Sequence, residues 1–185
     1  MTEQRYKIII DWFNSHERAL KALKIIYKYL SYPVYVAYPL LLIYVFLKVR
    51  DGVYEPAVFY KELLIPAFAL AAVTAIRDFL NKPRPYERMN ITPLISKKTE
   101  GHSFPSRHSA SVFIIAMAFL YTNIWFGIVF FIIGIIMCLS RVLAGVHYER
   151  DVVCGALFSV IFGLLFYTSY PDSFFNSLYN IFNIF

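Results

Sequence analysis

Charge is scarce in this chain: Asp, Glu, Lys and Arg together supply 16% of its 185 residues, against roughly 25% in an ordinary soluble domain. Cysteine is scarcer still. Cys138 and Cys154 lie inside apolar runs, with no CxxC spacing and no adjacent histidine cluster, which excludes a sequence-evident zinc framework and leaves buried free thiols. There is no internal repeat, no low-complexity tract and no separate soluble segment. A cleaved leader is not expected, because charges recur through the first thirty residues where a short basic start and an apolar centre would be needed.

What the chain has is apolar length. Hydrophobic residues make up 59% of it and the mean hydropathy is +0.56, so the bilayer is the first solvent to consider. A hydrocarbon core of about 30 Å takes roughly 20 mostly apolar residues per helix. Windows of that kind fall at 30–49, 57–80, 106–122, 125–144 and 151–170. The expected fold is therefore all-α, an integral membrane bundle of about five transmembrane helices forming a single domain over 1–185. Ahead of it, residues 1–29 carry Ile8, Trp12, Leu20, Leu23 and Tyr27 on one helical face and Lys7, Asp11, Arg18, Lys21 and Lys28 on another. That pattern predicts an amphipathic helix lying in the interface. Net charge is +6. In a soluble protein this would raise nucleic acid as a partner, but a chain with so little soluble surface points to anionic lipid and to no nucleic acid. No obligate protein partner is evident.

Five alternating spans put the 81–105 loop, the 145–150 connector and the amino-terminal helix on one side of the membrane, and that side holds nearly every ionisable residue. Three groups converge there: Arg77 to Arg84-Pro85, Pro105-Ser106-Arg107-His108, and Ser140-Arg141 with His147 and Asp151. Any one could be a snorkelling arginine or an interfacial histidine. Three clusters of cation, hydroxyl and histidine at one level make an enclosed anion site, since an unpaired charge deep in hydrocarbon costs about 3 kcal/mol on the gentlest scale.

Phosphoryl transfer needs cations for the oxygens, a nucleophile, a group that orients it, and an acid for the leaving group. His147 and Asp151 stand i, i+4, so a helix starting near His147 would let the carboxylate hold one ring nitrogen and leave the other to attack phosphorus. His108 opens the third span and can protonate a leaving oxygen. Arg77, Arg84 and Arg141 offer planar donor forks, and the helix start around Ser106 and Arg107 presents free backbone N–H groups to an anion.

These residues resemble the type 2 phosphatidic acid phosphatase superfamily, whose signatures read K-x6-R-P, P-S-G-H and S-R-x5-H-x3-D. The third is matched in full by Ser140-Arg141, His147 and Asp151. The second is matched with Arg107 in place of glycine, and the first with Arg77 in place of lysine, followed by Arg84-Pro85. The resemblance covers 77–151. It implies His147 as nucleophile, Asp151 as its orienter and His108 as general acid, with Arg77, Arg84, Ser106, Arg107 and Arg141 binding phosphate, no metal and no cofactor. For Arg107 it is the backbone role that transfers; a second phosphate is one target for its side chain. Lys82 and His102 are weaker candidates, the latter closing the polar stretch from Lys97 and Lys98 onward.

The resulting expectation is a metal-independent hydrolase acting on a lipid phosphate or pyrophosphate, with polyprenyl pyrophosphate such as the undecaprenyl carrier placed first. Phosphatidylglycerophosphate, phosphatidic acid and lipid A follow, with a phosphotransferase as the alternative reaction. A metal enzyme built on His102, His108 and His147 is disfavoured by the surrounding arginines; an anion transporter would leave the His147–Asp151 pair unexplained. The soluble vanadate-binding haloperoxidases of the superfamily do not fit a chain of spans. Counting basic residues alone would put the site in the cytoplasm. The resemblance implies a bacterial plasma membrane protein with an extracytoplasmic site, and the expectation follows it, because several of those arginines serve phosphate.

Overall fold

A computed structural model of the chain describes residues 1–97 and 99–182, so Lys98 in the polar stretch and residues 183–185 lie outside the described residues. Among the described residues the secondary structure is helical throughout: α1 (Glu3–Ser15), α2 (Glu17–Tyr29), α3 (Ser31–Arg50), α4 (Pro56–Leu80), α5 (Pro85–Arg88), α6 (Arg107–Thr122), α7 (Ile124–Leu143), α8 (Glu149–Ser169) and α9 (Asp172–Phe182). Four stretches, Glu17–Arg50, Pro56–Arg88, Ile124–Leu143 and Glu149–Ser169, hold helix long and apolar enough to cross a bilayer. The chain is an integral membrane helical bundle. Its outer faces are apolar, as lipid requires: α7 exposes Trp125, Val129, Ile132 and Leu139 while burying Gly127, Phe130, Gly134 and Met137.

The fifth expected span, α6, is different in kind. Its 16 residues cover about 24 Å at 1.5 Å per residue, less than the hydrocarbon thickness. It is the central helix, packed against α4, α7 and α8 and buried without interruption from Ser109 to Phe119. Lipid tails are as apolar as Leu, so close packing and small residues, not water exclusion, hold such helices together. Ala110, Ala116 and Ala118 are fully buried on α6, and the Ser159 hydroxyl of α8 donates to the Ala110 carbonyl at 2.8 Å. At Gly155 the two helices touch: a Cβ there would lie 2.6 Å from the Ser106 carbonyl oxygen.

The amino-terminal segment departs from expectation. It is broken at His16 into α1 and α2, and the break turns α1 so that Tyr6 and Ile10 are buried while Ile8 and Trp12 are 67% and 50% exposed. Leu23 and Tyr27 of α2 are buried as the pattern predicts. Both helices pack on α7 and thereby stand beside the converging charges. At the opposite end α9, which the sequence reading did not anticipate, folds back on α4. Its Asn176 side chain accepts from the Ala57 N–H at 3.1 Å, and its Asp172 pairs with the buried Lys61 at 2.5 Å.

Candidate active site

Each site residue stands at a helix end whose local chemistry fixes it. α4 stops at Asn81, which takes the left-handed conformation with φ 37°. In its last turn Arg77 donates from Nη1 to the Pro105 carbonyl at 3.1 Å. Beyond the turn, Arg84 is 4% exposed and its Nε donates to the Gly101 carbonyl at 3.0 Å. Glu87 clamps the same loop, accepting from the Arg84 N–H at 3.2 Å and the Gly101 N–H at 2.9 Å. Ser106 caps α6, its hydroxyl accepting from the Ser109 N–H at 3.4 Å. The cap leaves the first N–H groups of the helix directed outward at its positive end.

α7 ends with Arg141, and Gly145 at φ +73° turns the chain so that the Val146 and His147 N–H groups both donate to the Arg141 carbonyl, at 3.2 and 3.3 Å. The left-handed turn is what sets His147 beside Arg141. α8 then starts at Glu149, not at His147 as the i, i+4 argument supposed. Asp151 is the third residue of that helix and caps it, its Oδ2 accepting from the Tyr148 N–H at 3.0 Å. His147 reaches the same oxygen from the connector, Nδ1 to Oδ2 at 3.5 Å. The two side chains meet because the turn folds His147 over the helix start, so the spacing argument reached the right pair through the wrong geometry. The Ser103 hydroxyl completes the group, donating to Asp151 Oδ2 at 2.5 Å and lying 3.5 Å from His147 Nδ1.

Burial pushes the His147 imidazole down to about 4, against the hydrogen bond and charge of Asp151, which act in the opposite direction. At neutral pH the ring is uncharged. With Nδ1 facing the carboxylate as donor, Nε2 carries a lone pair. Arg84 and Arg77 both act electrostatically on this ring, and Arg141, Lys97 and His147 act on His108, so the three predicted clusters form one constellation. Within it, buried Arg84 Nη1 and Arg141 Nε have no hydrogen-bond partner among the described residues. A buried guanidinium donor without an acceptor is costly, and an anion between the two would satisfy both.

The remaining expected residues are placed unevenly. Arg107 is exposed at the mouth of α6, while the Lys82 side chain is also exposed and only its backbone carbonyl is engaged, accepting from the Ser103 N–H at 2.8 Å. His102 faces Asp78, Nδ1 to Oδ1 at 3.2 Å. Four groups escaped the sequence reading, Ser103 beside Asp151 being the first. Lys97 is half-buried, and burial together with Arg84, Arg141, Arg77 and Arg107 pushes its ammonium down to about 8. The Tyr6 hydroxyl donates to the His147 carbonyl at 2.9 Å, and the Tyr27 ring underlies the Arg141 guanidinium at 3.9 Å. A serine two residues ahead of Pro105 and a lysine in a polar loop were the only signals available.

The chain belongs to the PAP2 superfamily, whose family model matches residues 61–175. Among curated proteins it is similar to the undecaprenyl-diphosphatase BcrC of Bacillus subtilis, 33% identical over 86 residues, which are 46% of this chain and 44% of the relative. It is similar also to the undecaprenyl-diphosphatase of Sulfolobus acidocaldarius, 32% identical over 97 residues, 51% of this chain and 47% of that one. The match thus spans a little under half the length of these relatives. Among solved structures it is similar to the crystal structure of Aquifex aeolicus LpxE, with 25% identity, a TM-score of 0.63 and coverage of 88% of this chain and 92% of that chain.

Proposed function

We propose that the protein is a metal-independent lipid phosphatase that cleaves a lipid phosphate or diphosphate, polyprenyl diphosphate first among them, through a phosphohistidine at His147. One observation carries the reading: a buried neutral imidazole, held at Nδ1 by Asp151, stands beside unpartnered donors of Arg84 and Arg141. In the first step a bond forms from Nε2 to the terminal phosphorus and the bond from phosphorus to the ester or bridging oxygen breaks. His108 gives that oxygen a proton. Arg77, Arg84, Arg141, the Ser106 hydroxyl and the first N–H groups of α6 hold the transferring oxygens as their charge develops. Water activated by His108, now a base, then attacks the phosphohistidine and frees inorganic phosphate. Arginines supply the positive charge that a divalent ion supplies in many phosphatases.

The names of the curated relatives support a diphosphate substrate, and a site flush with the apolar bundle suits a lipid whose tail stays in the membrane. On the same reading the protein resides in a bacterial plasma membrane with its site on the extracytoplasmic side. Detergent-purified protein should release phosphate from lipid diphosphates in the presence of chelator, and His147→Ala should release none while keeping its melting profile. Turnover that chelator abolishes, or that persists in His147→Ala, contradicts the proposal.

A further inference from the structure

Beside the catalytic constellation, and not including His147, lies a cavity of about 480 Å³ whose walls include Lys24, Tyr27, Lys28, Ser96, His108 and Arg141. Two of these, His108 and Arg141, also belong to the site described above; the others come from α2 and the polar loop. Lys24 and Lys28 stand one turn apart on the face of α2 that also carries Tyr27. Both are exposed; among the described residues neither forms a salt bridge, and the Lys28 ammonium lies over the neighbouring Tyr29 ring at 5.0 Å. Tyr27 is 7% exposed. Its hydroxyl has no partner among the described residues, and neither has the Nε of the Arg141 stacked on its ring. Tyr27 and Arg141, each with a buried donor that lacks an acceptor, and two lysines in no salt bridge therefore line one space, and none of the described residues that line it is acidic.

The direction of this cavity from the nucleophile gives it meaning. On the phosphatase reading, His147 attacks the phosphorus from one side, the departing group leaves from the other, and His108 protonates it. The cavity opens on His108 and is not bordered by His147, so it receives what leaves. A neutral alcohol such as a diacylglycerol has no use for two lysines. A leaving group that is itself a phosphate monoester does.

We propose, resting on the phosphatase reading above, that Lys24 and Lys28 with the Tyr27 hydroxyl and Arg141 form a subsite for the inner phosphate of a lipid diphosphate, which makes the amino-terminal helix a specificity element. The bond that breaks joins the terminal phosphorus to the bridging oxygen, the proton of His108 goes to that oxygen, and the lipid monophosphate departs along α2. Leu94 and Ile95 also line it and offer apolar surface to the first carbons of the tail.

The test uses full-length protein carrying Lys24→Gln together with Lys28→Gln, both on an exposed helix face, with a short prenyl diphosphate and the matching prenyl monophosphate as substrates. The ratio of kcat/KM for diphosphate over monophosphate is expected to fall about tenfold. An unchanged ratio, whether both rates hold or both fall together, overturns the subsite and leaves the phosphatase reading intact. If the unsubstituted protein hydrolyses neither lipid, that reading fails, and calorimetric titration with inorganic pyrophosphate and inorganic phosphate still decides the subsite. Tighter binding of pyrophosphate that the double substitution removes supports it. Equal binding of the two anions overturns it.

Discussion

Burial keeps His147 uncharged among arginines, and that protonation state is what a nitrogen nucleophile needs. The sign of the pH dependence follows from the direction of the shift. An imidazole lowered from 6.5 to about 4 takes up its proton in the folded protein only well below the pH at which the unfolded chain does. The unfolded state therefore binds more protons between those values, and this group withdraws stability as pH falls from 6.5 toward 4. Attack competence is lost only on passing through about 4. The alkaline side belongs to Lys97, whose charge disappears above about 8 and with it part of the attraction for the substrate. For an activated aryl phosphate, whose departure needs no proton from His108, a profile of kcat/KM against pH is expected to show its acid limb near 4 and a decline beginning near 8; an acid limb near 6.5 would assign the nucleophile elsewhere. His108→Ala should slow poor leaving groups most, by about a hundredfold for an alkyl ester, and leave an activated aryl phosphate within a few-fold, as read from kcat on the two esters. Arg77, Arg84, Ser106, His108, Arg141, His147 and Asp151 could be picked out as candidates from residue type, spacing and the family resemblance, because phosphoryl transfer calls for particular residue types, and the structure places them at or beside helix ends. Ser103, Lys97, Tyr6 and Tyr27 could not be, since each reaches the site through the fold of the polar loop or of α1 and α2 onto the end of α7, and neither route leaves a periodicity.

At the scale of elements, the contact of α8 with the start of α6 determines whether the two halves of the site stay in register. Gly155 allows it. A Cβ there meets a backbone oxygen, Ser106 O at 2.6 Å, at the start of α6, whereas a Cβ at Gly163 meets Met117 Cγ and Cβ at 2.8 and 2.9 Å, about two helical turns farther from the site. Gly155→Ala is accordingly expected to cut kcat at least tenfold by pushing Asp151 away from Ser106, since small displacements of positioning groups have such effects. Gly163→Ala should change it less than twofold; assays of the two variants side by side make the comparison, and equal effects would refute the register argument. The apolar runs announced α3, α4, α7 and α8 because length and composition suffice for a span. α6 was also announced, though its length alone would not carry it across. The break at His16 was hidden, with neither proline nor glycine near it. α9 was hidden for another reason: 11 residues are too short to cross, and its place is set by α4.

The molecule as a whole places its candidate site at one end and a separate polar anchor at the other. There the ammonium of Lys61, 4% exposed, is held by Asp172 at 2.5 Å and lies over the rings of Tyr121 and Phe175, each at 5.6 Å. Beside it the Tyr167 hydroxyl donates to the fully buried Glu62 at 3.3 Å. Removing one member of a buried pair costs more than the pair contributes, because the other charge is left unpaired. Asp172 is itself half exposed, so Asp172→Asn is expected to lower the melting temperature in detergent by only about 2–4 °C, while kcat stays unchanged because the site lies at the far end. A loss of turnover without loss of stability would show coupling between the ends. This anchor had no counterpart in the sequence reading, because an apolar window does not show what covers the charges near its end.

The central claim is a covalent bond between phosphorus and His147. Protein quenched in alkali during turnover of a lipid diphosphate labelled in its terminal phosphate should carry label that resists base, is released by acid, and maps to the peptide containing His147. It should be absent from His147→Ala. Phosphate released in full without any such adduct, or an adduct on another residue, would contradict the account.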